Sequence, residues 1–180
     1  MAVITMPIER PRRRWSLQNM LIPFDLDFVP SHHSSSVNST LTSAQLDSVL
    51  HPTGCLTVSF EASGETEKDP SFRIESFQIQ SLLDYLNNQS SIRQFVERTL
   101  TEARADWLRR WEVQVGDIWS DSHFSELWLP CTKHNMFDGG GPQTKSMYIL
   151  VFKVQWDQEH VTRTLKFRDN EFVSLGIEGD

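Results

Sequence analysis

The fold is decided by residues 91–110, which read SIRQFVERTLTEARADWLRR. Apolar side chains recur here at spacings of three and four residues, the period of an α-helix with one buried face. Ser91 and Gln94 match a capping box at the start of this helix. The apolar stripe consists of Ile92, Val96, Leu100, Ala103, Trp107 and Trp111. We predict a long amphipathic helix, and a sheet or a second helix must cover its stripe.

Upstream of this helix, the pattern predicts a β-hairpin. Residues 55–62 and 71–79 alternate and are rich in β-forming side chains, and a polar turn separates them. A short helix is expected over residues 41–50, and one or two further helical turns over 81–87 that end at Asn87. The chain is therefore expected to enter the long helix from a hairpin.

Downstream of the helix, apolar residues recur at every second position, as in β-strands. Residues 147–156 are apolar on both faces in their first half, which favours a central strand. The other strands are expected over 111–115, 127–129, 161–167 and 172–177. Strands before and after one helix predict an α+β fold, in which an antiparallel sheet (a hairpin plus a C-terminal meander) packs on one long amphipathic helix.

The composition favours one globular domain with an N-terminal extension. Of the 180 residues, 38% are hydrophobic and 11% aromatic, which excludes collagen, coiled coils and fully disordered chains. The Ser-rich segment through Thr42 has too little apolar surface to offset its ordering entropy. We therefore expect residues 1–42 to be an N-terminal arm with a Ser-rich linker, and residues 43–180 to be a single α+β domain.

The chain also lacks the signals of export. No apolar run approaches the roughly 18–20 residues that span a bilayer, and polar residues and prolines interrupt the N-terminal segment where a signal peptide would need an apolar core. Cys55 and Cys131 are too few for a disulfide framework. We expect a cytoplasmic or nuclear protein without a membrane span.

The charge is unevenly distributed along the chain. Residues 1–50 carry four basic and four acidic residues, whereas residues 51–180 carry 13 basic and 20 acidic residues and thus the whole net charge of −7. An acidic domain repels the phosphate backbone of nucleic acids. Nucleic-acid binding is therefore not expected, except through the basic cluster of the arm.

The arm is the first candidate for binding a partner. Its four apolar residues have the i, i+3, i+4, i+7 spacing of an amphipathic segment that can dock into a groove, and three consecutive arginines precede them. The candidate residues are Arg12, Arg13, Arg14, Trp15, Leu17, Met20, Leu21 and Phe24. The alternative is that this segment packs on its own acidic domain.

Two tryptophans outside the predicted helix are the second candidate. Trp119 and Trp128 lie in loop-like sequence, and exposed tryptophans are frequent anchors at protein interfaces. The alternative is that both rings are part of the core.

Cysteine and histidine residues offer a possible metal site. His51 with Cys55, and Cys131 with His134, supply the ligand types and the number of ligands of a structural zinc. Neither pair has the usual Cys-x2-4-Cys spacing, so a buried cysteine and surface histidines are favoured and no cofactor is expected. A thiolate–imidazole pair of Cys131 and His134 would also need an orienting third group, such as His123 or Asp138.

These observations favour a non-enzymatic protein–protein interaction or adaptor module that uses its arm and exposed aromatic residues, with a protein partner or a second copy of the chain. The first alternative is a small ligand-binding or hydrolytic domain with a pocket lined by Trp and Phe and with His123, Cys131 and His134 at its mouth. The second alternative is RNA binding through the basic arm.

Overall fold

The computed structural model describes residues 13–17, 20–27, 36–42, 45–61, 74–109, 117–132, 136 and 139–177. These residues form eight strands and two helices. The strands are β1 (Arg13–Leu17), β2 (Met20–Asp27), β3 (Ser36–Thr42), β4 (Cys55–Glu61), β5 (Ser122–Leu129), β6 (Met147–Val154), β7 (Thr162–Arg168) and β8 (Glu171–Ile177). The helices are α1 (Ser76–Leu108) and α2 (Ile118–Asp121).

All eight strands lie in one sheet in the order of the chain, from β1 at one edge to β8 at the other. Every neighbouring pair is antiparallel except β4 and β5, which run parallel. Parallel neighbours need a long crossover, and α1 lies within the connection that supplies it. The predicted α+β class is therefore confirmed.

Helix α1 begins earlier than expected, which corrects the predicted hairpin. Residues 71–79 were expected to form its second strand, but α1 starts at Ser76 behind a capping box of Glu75 and Gln78. The expected stop at Asn87 is also absent, since α1 continues through it. Neither helix of the described residues combines the length and apolarity needed to cross a bilayer.

The apolar stripe of the predicted helix is buried only in part, since Ala103 and Trp107 are half-buried and Trp111 lies outside the described residues. Ile92, Val96 and Leu100 are buried as expected, and the same row continues upstream through Leu82 and Tyr85. This row packs on one face of the sheet in a single core cluster. Residues of five strands supply the sheet side, namely Leu41, Leu56, Val58, Phe60, Leu127, Leu129, Tyr148, Leu150, Phe152, Leu165 and Phe167.

The C-terminal meander is confirmed as strands β6, β7 and β8. The turn between β6 and β7 is held by a buried ion pair between Asp157 and Arg163, and the Arg163 guanidinium lies 4.7 Å from the ring centre of Trp156. Burial raises the pKa of Asp157, but the hydrogen bonds from Arg163 and from two backbone N–H groups outweigh it and leave that pKa below its ordinary value.

The N-terminal segment differs most from expectation. Residues 36–42, predicted as linker, form β3 and pair with β4 along seven positions, and Leu41 is fully buried there. The spacing of the apolar residues from Leu17 to Phe24 does not mark a helical segment, because residues 13–17 and 20–27 are strands of the same sheet. Pairing with a neighbouring strand overrides a short local pattern. Whether residues 43–180 fold without this segment stays a prediction.

Two other predicted elements have different outcomes. The short helix over residues 41–50 is wrong, since β3 includes Leu41 and residues 45–50 form turns and bends. The strand expected over residues 111–115 lies outside the described residues.

Candidate functional site

A cavity of about 290 Å³ lies where strands β4 and β5 begin. The two strands pair only over Val58–Phe60 and Leu127–Leu129, whereas β4 starts at Cys55 and β5 at Ser122. Their first residues therefore lie side by side without ladder pairing, and residues 49–53 border the gap. We call this space the β4/β5 cavity.

One wall of the β4/β5 cavity is apolar and continuous with the core. It contains Leu50, Trp119 and Phe124, which belong to the main core cluster or pack against it. The ring of fully buried Phe152 packs against both aromatic rings. Its centre lies 5.4 Å from that of Phe124 and 6.4 Å from that of Trp119. Packing against a buried ring restricts how far these side chains can move.

A second part of the lining, the polar wall, belongs to the strands themselves. Cys55 and Thr57 lie two residues apart on β4 and therefore on one face of that strand, and His123 and Ser125 come from β5. Cys55 and His123 are exposed, whereas Thr57 and Ser125 are half-buried. None of the described residues that line the cavity is Asp, Glu, Lys or Arg.

His51 lies between the two walls and is buried, with 3% of its surface exposed. Its Nε2 is 2.6 Å from the hydroxyl oxygen of Tyr85, and its ring meets Phe124 edge to face at 4.7 Å. Burial lowers the pKa of His51 to about 4, although the charge of Asp47 acts in the opposite direction. The imidazole is therefore neutral at pH 7.

Tyr85 fixes the hydrogen-bonding role of that imidazole. Burial, followed by the nearby Tyr148 and Asp47, raises the pKa of Tyr85 well above its ordinary value. Its hydroxyl thus keeps its proton and can donate it to Nε2 of His51. A neutral imidazole that accepts at Nε2 carries its own proton on Nδ1.

Helix α1 holds the loop that carries His51. Asp47 accepts hydrogen bonds at Oδ1 from the backbone N–H groups of Val49 and Leu50, at 2.9 and 3.1 Å. Gln89 of α1 accepts the backbone N–H of Asp47 at 2.9 Å, and Arg93 of α1 lies 3.6 Å from its carboxylate. The loop is therefore positioned by the same helix that covers the sheet.

Helix α1 also positions Trp119, through a buried arginine. Arg104 has only 2% of its surface exposed, and its Nη1 donates to Oδ2 of Asp121 at 2.8 Å and to the backbone oxygen of Asp117 at 3.2 Å. These two residues bracket α2, and Asp117 also accepts the backbone N–H of Trp119. The buried guanidinium of Arg104 thus fixes α2, the short helix that carries Trp119.

Of the residues suggested as zinc ligands, Cys131 lies far from Cys55. Cys55 begins β4, whereas Cys131 follows the end of β5, and Phe60 of β4 pairs with Leu129. The five steps from Cys55 to Phe60 alone span roughly 17 Å of strand. His134 lies outside the described residues, and within the described ranges no cluster of three or more His, Cys, Asp or Glu side chains could hold a metal ion.

The predicted partner-binding residues lie in several places. Trp119 and Trp128 are both half-buried; Trp119 lines the β4/β5 cavity, and Trp128 packs against the buried cluster of Met147, Ile149 and Val151. Strand β1 contains Arg13, Arg14, Trp15 and Leu17, strand β2 contains Met20, Leu21 and Phe24, and Arg12 lies outside the described residues. Their role in binding a partner stays a prediction.

Sequence reasoning anticipated part of this site. It named Trp119, His123, His51 and Cys55, but it considered the last two only as metal ligands, a reading it did not favour, and not as part of a pocket. It missed the contact between His51 and Tyr85, because residues 34 positions apart share no local pattern. In comparisons with known proteins, no family model matches the chain, and neither a curated protein nor a solved structure is significantly similar to it.

Proposed function

We propose that this protein is a non-enzymatic binding domain that holds a small ligand in the β4/β5 cavity. The observation that supports this proposal is the composition of its lining, since aromatic side chains and several hydroxyl-bearing residues border the same space of about 290 Å³. Ligand pockets are concave and mostly apolar, with a few placed polar groups that orient the ligand. The volume lies at the lower end of such pockets, which favours a small ligand.

The state of His51 supports binding over hydrolysis. A general base works best when its pKa lies near the working pH, whereas burial lowers the pKa of His51 to about 4. The Nε2 atom that would accept a proton is also occupied by Tyr85. His51 is therefore poorly suited to activate the Cys55 thiol as a nucleophile.

A fragment screen of the full chain tests the proposal. Two-dimensional ¹H–¹⁵N NMR spectra are recorded with a general library of small organic fragments, and the indole resonance of Trp119 reports on the cavity. We expect a subset of fragments to shift this resonance, and Ser125→Phe, which fills the cavity, to abolish the shifts. Ser90→Phe, at an exposed position of α1, serves as the matched control and should leave them unchanged.

Cysteine alkylation gives a second readout in the same samples. Cys55 is exposed at the cavity, whereas Cys131 is buried, so iodoacetamide should modify Cys55 first. A bound fragment should slow this reaction. If no fragment shifts Trp119 or protects Cys55, or if binding persists in Ser125→Phe, the proposal is wrong.

Protein binding is the second candidate, and strand β8 favours it. Phe172, Val173 and Leu175 are 36–44% exposed although they are large and apolar, and β8 is an edge strand. Exposed apolar edges are templates for pairing with another strand. The only charged residue of β8 is Glu171 at its first position, so two antiparallel copies place no like charges opposite each other.

The occupant that we propose for this edge is a second copy of the chain. Sedimentation of the full chain should show concentration-dependent dimers that Val173→Lys abolishes and that Thr101→Lys, at an exposed position of α1, does not. A monomer at every concentration would exclude this second candidate.

A further inference from the structure

The β4/β5 cavity offers no fixed charge to a ligand. Asp, Glu, Lys and Arg are missing from its described lining, and His51 is neutral at pH 7 because burial lowers its pKa to about 4. The nearby carboxylate of Asp47 is already bonded to backbone N–H groups and faces Arg93. A charged ligand would lose hydration without gaining a counter-charge, so the lining favours a neutral ligand.

The apolar wall favours a flat ligand. Trp119 and Phe124 present aromatic rings to the cavity, and Phe152 holds both in place. Aromatic rings pack best against other rings, either offset and stacked or edge to face. A rigid planar molecule gains this contact without losing the rotamer freedom that a flexible chain would lose.

The volume limits the size of that ligand. A cavity of about 290 Å³ lies just below the roughly 300–1,000 Å³ of typical ligand pockets. This size favours a ligand of one or two small rings.

The polar wall sets where the ligand carries its hydrogen-bonding groups. Thr57 and Ser125 lie on neighbouring strands, and each hydroxyl can both donate and accept. The aromatic wall lies on the core side of the cavity, where Trp119 and Phe124 pack. A ligand that satisfies both walls therefore has its polar atoms along one edge and an apolar remainder.

We infer that the ligand of the β4/β5 cavity is a neutral, fused-ring heteroaromatic molecule or lactam with a donor and an acceptor side by side on one edge. This inference rests on the proposed function and specifies its ligand class. The aromatic part packs against Trp119 and Phe124, and the polar edge lies against the hydroxyl groups of Thr57 and Ser125.

Three probes with the same number of non-hydrogen atoms test the class: oxindole, 2-indanone and phenylacetate. Oxindole has an N–H donor beside a carbonyl; 2-indanone keeps the shape and the carbonyl but replaces N–H by CH₂; phenylacetate is charged. Each is titrated into the full chain and followed by NMR. We expect 2-indanone to bind about fivefold more weakly than oxindole, as one lost hydrogen bond implies, and phenylacetate at least about tenfold more weakly.

A matched pair of variants tests the polar edge. Thr57→Val removes a cavity hydroxyl at nearly constant volume and should weaken oxindole binding about fivefold with little effect on 2-indanone. Thr164→Val changes a half-buried threonine of β7 that does not line the cavity, and it should change neither. The NMR spectrum of each free variant verifies that it is folded, and Ser125→Ala replaces Thr57→Val if the latter is not.

The outcomes separate this inference from the proposed function. Equal affinity for oxindole and phenylacetate overturns the ligand class, as does an unchanged oxindole affinity in the cavity-hydroxyl variant. Failure of all three probes overturns it too. In each case the proposed function still stands if other fragments shift Trp119 and lose that effect in Ser125→Phe; if no fragment does so, both are wrong.

Discussion

Acid should destabilise this protein through His51 in a way that a single substitution removes. In the unfolded chain this histidine has an ordinary pKa near 6.5, whereas burial in the folded protein lowers its pKa to about 4. Between these values the unfolded state binds a proton that the folded state does not. The free energy of unfolding therefore falls as the pH falls from about 6.5 to about 4.

The expected size of the loss follows from the same two pKa values. One proton taken up only by the unfolded state changes the free energy of unfolding by about 1.4 kcal/mol per pH unit. Between pH 7 and pH 5, only the part below pH 6.5 contributes in full, which gives a loss of about 2 kcal/mol. This is a substantial part of the stability of an ordinary domain, about 5–15 kcal/mol.

Urea unfolding, followed by tryptophan fluorescence at pH 7 and pH 5, measures this loss. His51→Gln is the comparison, because glutamine does not titrate and its carbonyl can still accept from Tyr85. Subtracting the two pH dependences cancels the carboxylates and the other five histidines. We expect the native protein to lose about 2 kcal/mol more than the variant. If the native protein and the variant lose the same free energy of unfolding, with the same slope of that free energy against urea concentration, then His51 is not buried as a neutral imidazole.

Three further substitutions should reduce stability in ways that unfolding measurements resolve. Asp157→Ala leaves the buried guanidinium of Arg163 unpaired and should cost about 3 kcal/mol; a cost below about 1 kcal/mol would contradict the ion pair. Gln78→Leu removes the side-chain donor to the backbone oxygens at the ends of β4 and β5 and should cost about 2 kcal/mol, whereas a neutral effect would mean that these oxygens are solvated. Gly176→Ala places a Cβ atom 2.9 Å from Oγ1 of Thr164 and should cost about 1 kcal/mol; the same substitution in a Thr164→Ala background should cost less, and an equal cost would exclude the clash.

The sequence predicted those elements whose pattern is long and local. Strands β6, β7 and β8 and the second half of α1 were anticipated because their alternation or helical stripe extends over seven or more residues. Alternate side chains of β6 and β7 and the buried row of α1 pack in the main core cluster, so periodicity and burial agree there.

The errors fall where local pattern and tertiary contact disagree. Residues 71–79 alternate like a strand, but Gln78 is more favourably placed on a helix, where its side chain bonds to both Glu61 and Leu129. Strand β3 is polar and Ser-rich, yet it pairs along the whole of β4. In both cases the contact that determines the local structure is made with residues distant in sequence, and the local sequence pattern does not predict it.

For the same reason, only part of the candidate site could be predicted from the sequence. Trp119 and His123 stood out by residue type, whereas the role of His51 depends on its contact with Tyr85, 34 residues away. The cavity beside it depends on the beginnings of β4 and β5, which do not pair with each other. Residue types can be read from the sequence, but the space between them depends on strand register.

The short parallel contact between β4 and β5 also divides the formation of the sheet into two parts. Strands β1–β4 and strands β5–β8 each pair only with their neighbours in sequence, and such local contacts form quickly. Joining the two halves requires closure of the long segment between Glu61 and Ser122 for a ladder of only three residue pairs. Assembly of the complete sheet is then expected to be the slow kinetic step, and separation of the halves an early step of unfolding. A ligand in the β4/β5 cavity would touch both halves and act as a cross-link between them.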